Sequence, residues 1–408
     1  MKIFKTITAT VFCVFLAFGC QEEKVTVNEF KPDAKMLQLT DSDNSFGINL
    51  FQQINTSSLN SDNLFVSPVS IALALAMTYN GAAGDTKTAM EQTLGLNGLN
   101  IEDINQSYQN LIHGLVTLDP GVLLTIANSI WYRDDFEVLQ SFIDINQQYY
   151  NAQVTPLDFN NPVSVEVINN WVDENTNHKI PEILSEINPE TVMFLINAIY
   201  FKGSWTALFD PAQTSDSPFY MEDGTELTIP TMKQKNLFGY FENELFKALK
   251  LPYGNEKFSM MVFLPASPHN VNDIIAELNP SNWNDWSGSF TITDSVNLYL
   301  PKFKFSYEIT LNDVLKTLGM SIAFTSQADF TGINPAGNLL ISNVKHKSFV
   351  EVNEEGTEAS AATIVEMVVT SAPQEINFHA NRPFLFIITE KTTNAIVFIG
   401  KVAKPEIE

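Results

Sequence analysis

Chemistry that makes or breaks covalent bonds leaves few traces in this chain. Its five histidines, His113, His178, His269, His346 and His379, are scattered along the sequence. No Gly-x-Ser-x-Gly elbow, His-Glu-x-x-His helix, phosphate-binding loop or Gly-x-Gly-x-x-Gly turn accompanies them. A serine–histidine–aspartate set could be assembled only in space, and nothing local nominates one. Both cysteines, Cys13 and Cys20, fall near the start, so the remaining chain holds no disulfide, cysteine nucleophile or thiolate metal site. The expectation is a protein that is not an enzyme and needs no metal or cofactor.

A different chemistry, the exchange of backbone hydrogen-bond partners, is suggested by Phe349–Thr363, which reads FVEVNEEGTEASAAT. The segment passes from a strand-like run through Gly356 into a tract of small residues. In an extended strand Thr357, Ala359, Ala361 and Thr363 share one face, while Glu358, Ser360 and Ala362 share the other, followed by Ile364 and Glu366. A strand with one small, uncharged face can enter a crowded sheet without a clash or a buried charge. By composition alone the tract also suits a flexible small-residue loop. The parity of its charges and the β-branched Val365, Val368, Val369 and Thr370 favour a strand held in reserve.

Such a segment needs a sheet to enter and a core to hold that sheet. At 408 residues and 45% hydrophobic the chain can build a large core. Strand patterns cover Leu123–Tyr132, Thr191–Phe201, Phe258–Leu264, Ser295–Phe305 and Ser348–Val352. A closing pair, Phe384–Thr389 and Ala395–Gly400, reads as a hairpin. Helical patterns cover Ser67–Leu94, Asp103–Leu115 and Ser164–Lys179. The first opens on Ser67-Pro68 and is apolar almost all round, so it should be buried. Strands and helices mix without regular alternation, which predicts an α+β fold.

Lysine and arginine number 23 against 47 acids, a net charge of −24, which argues against nucleic-acid binding. Thr88–Tyr132 contains no lysine or arginine, so a heparin-type polyanion is not an expected partner either. Lys2 and Lys5 precede an apolar stretch, Ile7–Phe18, too short to span a bilayer as an ordinary helix. Residues 1–19 therefore read as a signal peptide. Leu16-Ala17-Phe18-Gly19-Cys20 resembles a bacterial lipobox, in which Cys20 becomes the lipidated first residue. Ala17 stands where a large aliphatic is usual, and an ordinary secretory signal is the alternative. Residues 20–36 are polar and aperiodic and read as a tether, with Gln21-Glu22-Glu23 similar to a surface-export signal of some Gram-negative lipoproteins. The expected location is outside the cytoplasm, at the outer membrane or cell surface through lipid alone, or else secreted.

From about Leu37 to Pro405 the chain resembles the serpin family. Glu354-Glu355-Gly356-Thr357-Glu358-Ala359 matches the family's hinge signature. Asn63–Ile71 looks like the opening of the helix buried beneath the central sheet, and Phe194–Trp205 like a central strand and its turn. Leu300-Pro301-Lys302-Phe303, Leu318-Gly319-Met320, Ala328–Gly332, Asn381-Arg382-Pro383-Phe384 and Gly400-Lys401-Val402 follow in the family's order and spacing.

The resemblance implies one domain over residues 37–408, with three β-sheets and eight or nine helices. A reactive loop at about 354–380 would stand outside a five-stranded sheet. Cleavage would let the loop insert as a further strand, dragging an acylated protease with it. The hinge would be Glu354, Gly356, Thr357, Ala359, Ala361 and Thr363. Ser67, Ser70, Asn197 and His346 fall on shutter positions, where an imidazole bonded to Asn197 and Ser70 would hold the strands closed. A plain strand histidine is the alternative for His346. Trp205 falls at the breach, where the loop first enters, or serves simple core packing. The family spacing places the scissile bond at Thr370-Ser371, with Val369-Thr370 and Ser371-Ala372 as alternatives. No arginine or lysine lies between Gly356 and Arg382, so the expected targets are elastase- or subtilisin-like serine proteases, or a papain-like cysteine protease. The protein would act as a monomer with a target protease as its partner. A non-inhibitory serpin-fold binding or chaperone protein is the alternative function, and an unrelated surface hydrolase or adhesin a third.

Overall fold

The computed structural model describes residues 30–58, 62–188, 190–293, 295–357 and 375–406. Cys20, Ala359, Ala361, Thr363, Thr370 and Ser371 lie outside them. The first half runs α1 (Ala34–Ser57), β1 (Leu64–Val66), α2 (Pro68–Tyr79), α3 (Gly84–Leu94), α4 (Ile101–Thr117), β2 (Val122–Arg133), α5 (Gln140–Tyr150), β3 (Gln153–Leu157), α6 (Val163–Asn175) and β4 (Met193–Ser204). Next come β5 (Ser215–Tyr220), β6 (Glu226–Asn236), β7 (Gly239–Glu242), β8 (Phe246–Tyr253), β9 (Phe258–Pro265), α7 (Val271–Glu277), α8 (Pro280–Gly288) and β10 (Thr291–Ile292). The chain closes with β11 (Val296–Pro301), β12 (Phe303–Thr310), α9 (Asn312–Leu315), β13 (Lys345–Asn353), β14 (Gly356–Thr357), β15 (Ile376–His379), β16 (Phe384–Glu390) and β17 (Ile396–Val402).

Among the described residues these strands form three sheets, with nine α-helices around them. The central sheet has the order β12-β13-β14-β4-β2-β3, a second β1-β17-β16-β9-β8-β7-β10, and a third β15-β11-β6-β5. The expected α+β architecture with three sheets is what the chain builds.

Two helices sandwich the middle of the central sheet. Ser67 caps α2 by accepting the Ser70 N–H at 3.3 Å, and Pro68 fills the first turn, where its missing N–H costs nothing. Every residue of α2 but Ala74 is buried, and the helix packs on β4 and β17. On the opposite face α6 lays Ile168 and Val172 against Trp131 of β2 and Ile196 and Ala198 of β4. Alternate residues of β4 therefore face opposite helices, with Asn197 toward α2.

Three expectations need adjusting. The helical pattern from Ser67 to Leu94 is two helices, α2 and α3, parted by a turn at Gly81. A Cβ on Gly81 would meet Ile333 Cγ1 at 2.2 Å, so the turn exists to let another segment press against its backbone. The strand pattern Ser295–Phe305 is likewise two strands, β11 and β12, which belong to different sheets. The tether ends early, because α1 starts at Ala34 and already buries Met36.

Within the helical layer Asp43 of α1 is buried, and its Oδ1 accepts a hydrogen bond from the Tyr108 hydroxyl of α4 at 2.8 Å. Its Oδ2 has no partner. Burial raises this carboxyl to about 7, against the smaller downward pull of the Tyr108 bond. The unfolded chain loses the proton near 3.8 and the folded chain only near 7, so Asp43 erodes stability progressively as pH rises between those values. Asp43→Asn should leave the unfolding midpoint near wild type at pH 4 and raise it at pH 8, the gap reaching up to about 4 kcal/mol. Parallel pH profiles for the two proteins, measured by calorimetry, would refute a neutral buried Asp43.

Candidate functional site

The hinge has already entered the central sheet. Gly356 pairs with Asn353 of β13 on one side and Ser204 of β4 on the other, and Thr357 pairs with Val352 and Gly203. Gly356 sits at φ 151°, and a Cβ there would meet the Gly203 carbonyl oxygen at 2.0 Å. Only glycine lets the chain pass this close to a neighbouring backbone. Thr357 is buried, with its Oγ1 2.7 Å from the Tyr253 hydroxyl of β8.

Around this entry the residues form one connected clamp. The Trp205 N–H donates to the Glu355 carbonyl at 2.9 Å, and Trp205 Nε1–H donates to the Asn353 carbonyl at 3.0 Å. The indole also stacks on Tyr253, with ring centroids 4.5 Å apart and planes 11° from parallel. Trp205 is therefore both a packing residue and a direct ligand of the hinge backbone. Glu354 accepts from Lys302 Nζ at 2.8 Å and from Thr214 Oγ1 at 2.8 Å, while the Phe209 N–H donates to its carbonyl at 3.0 Å. Burial alone would push the Glu354 carboxyl up, but those bonds, with the Lys302 charge, hold it below the usual carboxylate range.

Below the two paired residues the sheet is parted. Among the described residues no ladder joins β4 to β13, although β4 is fully paired with β2 and β13 with β12. The shutter residues lie along this seam. Ser70 Oγ donates to Asn197 Oδ1, and Asn197 Nδ2 donates to Asn128 Oδ1 at 2.6 Å. Ser67 Oγ donates to the Val397 carbonyl at 2.7 Å. His346 is buried, but its Nε2 accepts the Ser67 backbone N–H at 3.3 Å. The four expected residues are thus together, while the expected imidazole bonds to Asn197 and Ser70 are not made. With β4 and β13 apart, a bond across the seam has no one to span it, and Ser67 takes the imidazole instead.

At the far end of the same seam lies a 340 Å³ cavity. Thr191, Met193 and Leu195 line it from the β4 side, Leu340, Ser342 and Val344 from the β13 side, and Leu75 of α2 forms its floor. The positions Ala359, Ala361, Thr363, Thr370 and Ser371 fall outside the described residues, as does Cys20. Sequence reasoning missed Tyr253 and Thr214. No local signal marks them, since they come from separate parts of the chain and meet only beside the hinge. It gave no role to Asn353, next to Glu354. Lys302 stood within a quoted motif without a role.

Comparison with known proteins agrees with this geometry. The family model "Serpin (serine protease inhibitor)" matches residues 41–405. Leukocyte elastase inhibitor of Sus scrofa is 35% identical over 381 residues, covering 91% of this chain and all of that protein. The crystal structure of tengpin, a thermophilic serpin, superposes in its native state with a TM-score of 0.83 at 36% identity, covering 92% of this chain and 95% of tengpin. Tengpin in its latent state gives 0.78 at 34% identity, covering 92% and 99%. The chain belongs to the serpin family, whose members are mostly protease inhibitors and not catalysts.

His346 generates a prediction. Burial lowers its pKa to about 4, so the imidazole is neutral in the folded protein. Below about 6.5 the unfolded chain takes up a proton that the folded chain refuses until about 4, so stability falls across that window. His346→Gln, which keeps an acceptor for the Ser67 N–H, should flatten the loss between pH 6.5 and pH 4 by up to about 3 kcal/mol. Denaturant midpoints across this range test it, and identical acid limbs would exclude a buried neutral His346.

Proposed function

We propose that this serpin is a suicide inhibitor that traps an endopeptidase when the enzyme cuts the reactive loop near Thr370-Ser371. One observation carries the reading: the hinge is hydrogen-bonded on both sides, in register, at the mouth of a seam that the described strands leave unpaired. Were the same register continued after cleavage, Ala359 would fall between Phe201 and Val350, Ala361 between Ile199 and Ser348, and Thr363 between Asn197 and His346. Val365, Met367 and Val369 would then fall beside the cavity residues Leu195, Met193 and Thr191 on one side and Val344, Ser342 and Leu340 on the other. The small face of the inserted loop would meet the crowded part of the core, and its larger apolar residues the space at the far end.

Two residues of ladder are already formed, and about a dozen more would follow. At roughly 0.5–1.5 kcal/mol net per hydrogen bond, insertion would release on the order of ten kcal/mol. While the loop is intact its far end is tied to β15, so the gain is withheld. Cleavage removes the tie, and the inserting strand carries the acylated protease roughly 45 Å along the sheet, at about 3.3 Å per residue. Dragged along the sheet, the protease has its active site distorted, so the acyl-enzyme deacylates slowly.

The loop composition sets the target class. Val368, Val369 and Thr370 suit enzymes with small apolar pockets, elastase- or subtilisin-like serine proteases above all, and a papain-like cysteine protease accepting Val369 next. The relative from Sus scrofa is named as an inhibitor of leukocyte elastase. The lipobox-like Leu16–Cys20 and the polar stretch after it support an exported, lipid-anchored monomer, with a mature chain that starts at a lipidated Cys20.

Mixing the protein with pancreatic elastase should yield a complex stable to denaturing electrophoresis, with release of a peptide whose mass begins at Ser371. Clean loop cleavage without a complex would overturn the inhibitor reading in favour of a serpin-fold binding protein. Thr357→Arg would bury a charge beside Tyr253, and should convert the protein from inhibitor to substrate. Wild-type trapping by that variant would refute the hinge register.

A further inference from the structure

The pole of the molecule at which the loop returns to the sheets carries an exposed apolar pair. Ile292 is 74% exposed, the highest value among the large apolar side chains of the described residues, and Leu237 is 41% exposed. The two belong to facing segments. Ile292 pairs with Gly239, two residues past Leu237, and the Thr293 N–H donates to the Phe238 carbonyl at 3.1 Å. Phe238 and Tyr240, the alternating residues, are buried, so the chain turns Leu237 outward. Isolated surface apolar residues need no explanation, but this pair has a position that bears on the partner.

That position is fixed by the third sheet. Asn236 of β6, Val296 of β11 and Ile376 of β15 lie in one row across it. Leu237 therefore stands about two strand spacings, roughly 10 Å, from the start of β15. Glu375 is pinned at the same edge by Lys235 Nζ at 2.6 Å and Asn297 Nδ2 at 3.3 Å. A bond cut at Thr370-Ser371 is tied to this anchored Glu375 by a few residues, which reach at most about 17 Å at about 3.3 Å each. A protease domain of about 200 residues has a radius of gyration of about 16 Å, and its bulk extends further. Seated on the loop, it has too short a leash to clear the pole.

We infer that Leu237 and Ile292 form a secondary docking surface for the body of the target endopeptidase, beside the side of its cleft that holds the residues after the cut. This rests on the inhibitor reading above. The surface adds recognition beyond the loop sequence, so it acts on how fast the protease engages rather than on what happens after acylation.

The test compares the full-length protein with the double variant Leu237→Glu and Ile292→Glu, mixed with pancreatic elastase under pseudo-first-order conditions. The rate of loop cleavage, read from the released peptide, should fall at least about tenfold, a loss typical of central interface residues. The ratio of complex to cleaved protein, the thermal transition and elastase turnover of a synthetic peptide covering residues 363–375 should stay unchanged. Placing the same two charges on the exposed face of α6, as Val163→Glu and Val167→Glu, should leave the cleavage rate alone. A double variant cleaved within about twofold of wild type overturns the docking surface, as does an equal loss from the α6 charges. If wild-type protein were nicked without trapping, the inhibitor reading would fall. The difference in nicking rate would still decide whether the pair contacts the protease.

Discussion

The register of two residues governs this structure. Gly356 and Thr357 occupy a strand position that β13 and β4 can offer only once, because each already spends its other edge on β12 or β2. A β-strand has two hydrogen-bonding edges and a side-chain period of two, so the first pairs formed dictate every later partner and face. Pairing with Gly203 and Val352 thereby fixes the face of Thr357, which is buried against the Tyr253 hydroxyl. The requirement for glycine at 356 comes from the same closeness, since a neighbouring carbonyl occupies the space a side chain would need.

The groups around the entry hold the loop while leaving the seam able to exchange partners. Glu354 is fastened by Lys302, Thr214 and the Phe209 N–H, and Trp205 grips the backbone on either side of it. Lower down, the seam is lined with Ser67, Ser70, Asn128, Asn197 and His346, where aliphatic residues would pack as well. Buried polar groups are costly unless paired, and here each has found a partner on α2, β2 or β17. Short hydroxyl and amide side chains can trade one partner for another with little movement, as the proposed insertion of a strand here would require. Apolar packing would offer no such substitution.

Buried titratable groups follow one rule with different outcomes. Asp43 has a single donor and an unpaired oxygen, and burial keeps it protonated toward neutral pH. His346 has one donor facing it and stays neutral because burial penalises the charged imidazolium. Glu354 sits at the sheet's edge, where a lysine can reach it from partly solvated space. The number and charge of available donors separate these cases, and burial alone does not.

The linear chain by itself determined the family, the α+β class and the burial of α2. These are carried by local order: Ser67-Pro68 with an apolar run behind it, and small residues of fixed parity after Gly356. Motif matches also singled out Ser67, Ser70, Asn197, His346 and Trp205, which the structure brings to the seam and its mouth. Only the tertiary structure decided the partners. Tyr253, Thr214 and Lys302 meet the hinge from separate segments of the chain, His346 bonds to Ser67 rather than across the seam, and the hinge stands two residues inside the sheet. Local sequence encodes which backbone shapes and faces are available. Which edge, oxygen or ring a residue finally meets depends on the placement of segments hundreds of residues apart, and no local pattern contains that distance.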